Sequence, residues 1–204
     1  FEIGGRIFWV GVDIGDKVFA GQTLAVLDSG EFSSRLAKAE ADVETRSLEV
    51  EKAEVILNNY RGKISDVIND AYTKADNAMR QQTEEMFIDD ETLSPKLTFT
   101  TINSQTEIDL RAKRYLVSET LNVWLEKVSQ GSLSDARTRL NTIRSFIDLL
   151  NDAIVNSVNL KEATVIGYKT KINNARAGIN FALSAVNDLE QNIATQHKVV
   201  AEQK

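Results

Sequence analysis

Gly5-Arg6-Ile7-Phe8-Trp9-Val10-Gly11-Val12-Asp13-Ile14-Gly15-Asp16-Lys17-Val18-Phe19-Ala20-Gly21-Gln22-Thr23-Leu24-Ala25-Val26-Leu27-Asp28 is a set of short apolar runs cut by Gly-Asp and Gly-Gln. Val12 and Ile14 alternate with Asp13, and Leu24 and Val26 alternate with Thr23 and Ala25. A period of two predicts half-buried strands, because successive side chains point to opposite faces. Gly15 and Gly21 stand where the chain must reverse, and only glycine takes a positive φ there without strain. These strands are too short and too few to bury a core of their own. A helical pattern begins at once after Asp28, at Phe32.

From Phe32 the period changes. Leu36, Val43, Val50 and Leu57 fall seven apart, with Phe32, Ala39 and Ala53 on the complementary positions and Arg46 as a polar interruption. This predicts a heptad seam over residues 32–61. Asp42 and Arg46 add an i,i+4 pair. Gly62 leaves open whether that helix ends, kinks or runs on to Phe87, since one glycine costs only about 1 kcal/mol. Beyond it Ile64, Ile68, Ala71, Ala75, Met79 and Met86 keep helical spacing.

Residues 88–103 read as a loop, in which Ser94-Pro95 breaks helix and Leu97-Thr98-Phe99-Thr100 favours extended chain with Leu97 and Phe99 against a helix. Ser104 with Glu107 predicts a capping box. The following helix reaches about Ser129 with a stripe of Leu110, Val117, Leu121, Trp124 and Val128, and Gln130-Gly131-Ser132 closes it. Leu133, Ala136, Leu140, Ile143, Ile147, Leu150 and Ile154 mark another helix over 133–159. After a turn near Asn159-Leu160, Ile172, Ala175, Ile179, Ala182, Val186, Leu189 and Ile193 form the cleanest seam, long enough to run back beside residues 32–61. The predicted fold is mainly α: an antiparallel coiled-coil hairpin with a four-helix bundle at its tip and a small β half-sandwich at the N-terminus. Its domains are 1–30 (half-sandwich), 31–61 (ascending helix), 62–185 (bundle) and 186–204 (descending helix).

The pattern Gly15-Asp16-Lys17-Val18, Gly21-Gln22 and Leu24-Ala25-Val26-Leu27-Asp28 resembles half of a lipoyl/biotinyl-type sandwich. Carrier domains of that type hold a modified Lys at the next hairpin tip, where this chain has Asp28-Ser29-Gly30-Glu31-Phe32 and no Lys. The resemblance therefore implies no covalent lipoyl or biotin. Residues 5–57 resemble the membrane fusion proteins, the HlyD-like periplasmic adaptors, which keep the sandwich without the Lys and in which a helical hairpin interrupts it. That family implies a non-enzymatic adaptor of an efflux or secretion system. It would act outside the cytoplasm and be membrane-anchored in the full-length protein, with an ABC- or RND-type transporter and further copies of itself as partners. The motif residues Gly15, Asp16, Gly21, Gln22, Leu27 and Asp28 would serve structure. The Arg-x3-Leu-x6-Ser run of adaptors that meet TolC-like channels is absent, so the resemblance does not extend to that docking. Two alternatives remain: a small β-element capping a coiled coil, and an extracytoplasmic small-ligand sensor built on the bundle.

At 204 residues, 42% apolar and 26% charged, the composition is that of a soluble protein. No run approaches the roughly eighteen apolar residues that span a bilayer. Phe1 stands inside a strand-like run and Lys204 inside a heptad pattern, so the sequence reads as an excised fragment, with the second half of the sandwich expected beyond Lys204. The net charge of −6, without clustered Lys or Arg, argues against nucleic acid and anionic membranes. Cysteine is absent, which excludes disulfides and thiolate metal sites. His197 is the single histidine, late in the last helix and without a sequence-local ligand set. Asp89-Asp90-Glu91 lacks the alternating oxygens of a Ca²⁺ loop, and Gly4-Gly5 and Gly15 form no phosphate fingerprint. No catalytic, cofactor or metal residue is expected. Tyr72, Tyr115, Trp124, Phe146, Tyr168 and Phe181 are candidates for core or pocket, and Asn173, Asn174, Asn180, Asn187 and Asn192 for a polar face.

Overall fold

The computed structural model describes residues 5–89, 92–128 and 131–203. The chain is mainly helical, with a few small antiparallel strand pairs. It divides into two compact units, residues 1–53 with 203–204, and residues 54–202.

In the first unit β1 (Ile7–Val10) pairs antiparallel with β2 (Ala25–Leu27), Ile7 opposite Leu27 and Val10 opposite Ala25, with a bulge between Ile7 and Trp9. The strand expected around Val12 and Ile14 does not form. Ile14 is taken up by a turn, because the Gly15-Asp16 reversal comes before the alternation can find a partner. As two strands alone require, nearly every apolar side chain here is exposed, Phe8, Ile14 and Phe19 among them. The helix α1 (Gly30–Gly62) starts in this unit and belongs to the second from Glu54 on. Its seam is exposed at Phe32, Leu36 and Val43 and buried at Ala53 and Leu57. Asp42 and Arg46 form no ion pair, whereas Arg35 and Glu31 of the same helix form an exposed one.

In the second unit a single non-helical residue, Lys63, separates α1 from α2 (Ile64–Asp76), which settles the question left open at Gly62 in favour of a break. Nor does the helix run on to Phe87. Asn77–Gln81 is a π turn, Glu84–Met86 a 3₁₀ turn, and β3 (Phe87–Ile88) then pairs with β4 (Lys96–Leu97). Phe99 is buried and Leu97 packs on the core, as the extended run implied.

The helix α3 (Ser104–Lys127) is capped by Asn103, whose Oδ1 accepts from the Gln105 amide at 2.9 Å. The expected Ser104–Glu107 box is absent, because Glu107 Oε1 instead accepts from the Thr101 amide at 2.7 Å. Ser132 caps α4 (Leu133–Val155) through the Asp135 amide. That helix ends short of 159: Asn156 turns it off, the Val158 amide donates to Thr100 O, and Asn159 Oδ1 accepts from the Thr100 amide. The helix α5 (Glu162–Gln203) is continuous through 186. Stripes of α2 to α5 bury one shared core, including Ile68, Leu110, Leu140, Ile143, Phe146, Ile147, Ile172 and Ile179. Tyr60 and Ile193 pack on its edge. Gly4, Asp90, Glu91, Ser129, Gln130 and Lys204 lie outside the described residues, and with them part of the acidic run and of the expected C-cap.

Candidate functional site

The six motif residues of the N-terminal element do backbone work. The Asp16 amide donates to Asp13 O at 3.2 Å, while Asp16 Oδ2 accepts from the Asp13 amide at 2.8 Å. Six residues later the Gln22 amide donates to Phe19 O and Gln22 Oε1 accepts from the Phe19 amide, both at 3.1 Å. Gly15 (φ +103°) and Gly21 (φ +86°) hold the third position of these twin turns, where a type II geometry requires positive φ. A polar side chain after each glycine thus closes its own turn, which explains the Gly-Asp and Gly-Gln signature. Leu27 pairs with Ile7. The Asp28 amide donates to Arg6 O at 2.7 Å, and its Oδ1 accepts from the Gly30 amide at 3.0 Å, feeding α1.

The chemistry-bearing cluster lies elsewhere, and the apolar pattern alone did not reveal it. Arg114 is 2% exposed on the core face of α3. Its guanidinium donates to Met79 O (3.2 Å from both terminal nitrogens) and to Thr83 Oγ1 (2.9 Å), and lies over the rings of Phe87 and Phe146. Thr83 Oγ1 donates in turn to Met79 O at 2.8 Å. The π turn makes this possible. A π turn inserts one residue into the helical period, so Thr83 rather than Gln82 faces inward, and the Met79 carbonyl is reached from the side. The missed signal was Arg114 standing between Leu110 and Val117 at core spacing, the one charge within that stripe.

Beside this arrangement opens a cavity of about 480 Å³ between the π turn and α3. Arg80 and Arg114, Glu84 and Glu119 line it with Tyr115, Ser118 and Asn122. Arg80 pairs with Asp76 at 2.8 Å and reaches Asn122 Oδ1 at 3.5 Å. Nearby, burial raises the Tyr72 phenol above its ordinary pKa of 10.0, the Asp76 carboxylate adds to the rise, and Arg80 opposes it.

Of the expected aromatics, Trp124 and Phe146 are core, and Tyr115 alone reaches the cavity. Phe181 is on the surface beneath Lys74. The five asparagines of α5 are exposed. His197 is exposed and its Nε2 lies 2.8 Å from an Arg61 terminal nitrogen. Among the described residues no group of His, Asp and Glu is placed to hold a metal, and no helix is long and apolar enough to cross a membrane. The sequence matches no protein-family model, no curated protein and no solved structure.

Proposed function

We propose that this chain is part of an extracytoplasmic adaptor of an efflux or secretion transporter, of the membrane fusion protein kind, acting as a rigid spacer and docking element. The observation that carries this reading is the direct passage from the twin-turn β element, through the Asp28 clasp, into a 33-residue helix with a heptad seam. At 1.5 Å per residue such a helix is about 50 Å long, and stiffness over that length is what a spacer supplies.

Under this reading β1 and β2 are half of a lipoyl-like sandwich, and their exposed apolar side chains await the other half. The α1 seam and the strip of α5 ending at Ile193 and Val200 are the two sides of an antiparallel coiled-coil hairpin, with α2 to α5 as a four-helix bundle beyond it. Within the second unit, the Arg61–His197 contact and the burial of Leu57 and Val200 agree with such pairing. The partners are an ABC- or RND-type permease and further copies of the adaptor.

The test is co-purification. The full-length protein, tagged and extracted from membranes in mild detergent, brings a transporter with it. Recovery without any transporter would sink the adaptor reading.

A further inference from the structure

The helix α3 carries apolar side chains on two opposite faces. Leu110, Val117, Leu121 and Trp124 are buried in the core shared with α2 and α4. At 3.6 residues per turn, Ile108, Ala112, Tyr115, Leu116 and Val123 fall on the far side. All five are exposed, Ile108 at 57% and Leu116 at 53%. The neighbouring helices are not built so. Among the described residues α2 exposes no large apolar side chain, and α4 only Val155 in its last turn. A helix that is apolar all round is normally buried all round, and a contiguous exposed apolar row marks a contact surface.

The spacing of the row points to what covers it. Ile108, Ala112, Tyr115, Leu116, Glu119 and Val123 are separated by four, three, one, three and four positions, which reads the same in both directions. A two-fold axis midway between Tyr115 and Leu116 would therefore lay α3 antiparallel on the α3 of a second copy, with every row residue opposite a row residue. Ile108 meets Val123 of the second copy, Tyr115 meets Leu116, and the small Ala112 meets Glu119. A surface that is its own complement is what a two-fold interface requires. The charges agree. Arg111 precedes Ala112, so each copy sets a guanidinium beside Glu119 of the other, twice by symmetry. Within one chain neither Arg111 nor Glu119 has an ion-pair partner among the described residues. No charged residue of α3 has a charged residue as its mirror position, so the arrangement opposes no like charges. With four cations and four anions the helix offers no net charge to an anionic lipid surface.

We infer that the exposed face of α3 is a two-fold contact between two copies of this chain. Two helices packed side by side over this row bury about 1,000 Å² in total, the low end of specific interfaces, so the dimer is weak, with Kd in the micromolar range. The inference goes beyond the adaptor reading, which asks for further copies without naming a face, and it rests on α3 alone. A failed co-purification leaves it standing, and a monomer leaves the transporter contact standing.

Sedimentation velocity of the whole chain from about 1 to 300 µM, a range that brackets a weak interface of this size, tests it. The parent passes from monomer to dimer across the range. Leu116→Glu, at an exposed position, keeps the helical circular dichroism and stays monomeric throughout. Arg111→Glu and Glu119→Arg each weaken the dimer by about tenfold or more. An equimolar mixture of these two variants dimerises as the parent does, because each copy then meets the opposite charge at both contacts. The inference is overturned if the parent is monomeric at the highest concentration, if Leu116→Glu dimerises undiminished, or if the mixture associates no more tightly than its components.

Discussion

Two strips in this chain obey the same 3–4 spacing and end differently. On α5, Ile172, Ala175, Ile179, Ala182, Val186 and Leu189 are all buried, while on α1 Phe32, Leu36 and Val43 stand exposed. Periodicity fixes which face of a helix is apolar; it does not supply what covers that face. The α5 strip is covered because α2, α3 and α4 bring complementary stripes into the same core. Helical stability comes mainly from such packing rather than from propensity, so the two strips have unequal thermodynamic weight.

The largest effect separates them directly. Leu140→Ala, at a fully buried core position, destabilises the second unit by about 2–5 kcal/mol, measured by urea unfolding. Leu36→Ala on the exposed strip changes it by less than about 0.5 kcal/mol. If Leu36→Arg unfolds as the parent does yet loses the co-purifying transporter, the exposed strip is a docking face; equal losses in both assays would erase the contrast.

Next comes Arg114→Ala, which removes charge-assisted bonds worth about 1.5–3 kcal/mol together with packing on Phe87 and Phe146. A fall in the unfolding free energy of about 3 kcal/mol is expected, and an unchanged midpoint would mean that the buried cation stabilises nothing. Asn103→Ala and Ser132→Ala each remove a helix N-cap, for about 1 kcal/mol apiece, in the same assay. Gly21→Ala forces an L residue to φ +86°, at about 1–2 kcal/mol. Because the first unit buries so little, this change appears as faster amide exchange at Gln22 and in β2, with the core melting point unmoved.

The smallest effect is alkaline. The folded state holds the Tyr72 proton more tightly than the unfolded state, chiefly through burial. That stabilisation is complete below pH 10 and is lost as pH rises through the raised folded value. Spectrophotometric titration of the parent shows a phenol that ionises later than in the unfolded chain, and Tyr72→Phe lacks it.

What was legible followed from local pattern. Gly15 and Gly21 announced their turns, and the stripes through Leu110, Leu140 and Ile179 announced their helices. Phe99 behaved as an apolar residue in extended chain beside a core should. What was hidden needed distant partners. Asn103 and Ser104 are both competent caps, and the choice falls to Asn103 while the Thr101 amide takes Glu107. Ala75, Met79 and Met86 fit an unbroken helix, so nothing local marks the insertion at Asn77–Gln81. The residue that makes use of it is Arg114, 31 residues from the Thr83 it contacts. The two-residue pair β3–β4 is too short for any alternation to register.

The widened turn at Asn77–Gln81 also reverses the usual sense of a shortening mutation. Deleting Asn77 would restore a regular ladder of backbone bonds and rotate every later side chain by roughly 100°. Thr83 would swing away from the guanidinium, which stays ionised at any attainable pH. A more perfect helix would then take from a permanently charged, buried group one of its acceptors, so the irregular form is the one that the molecule as a whole can accept.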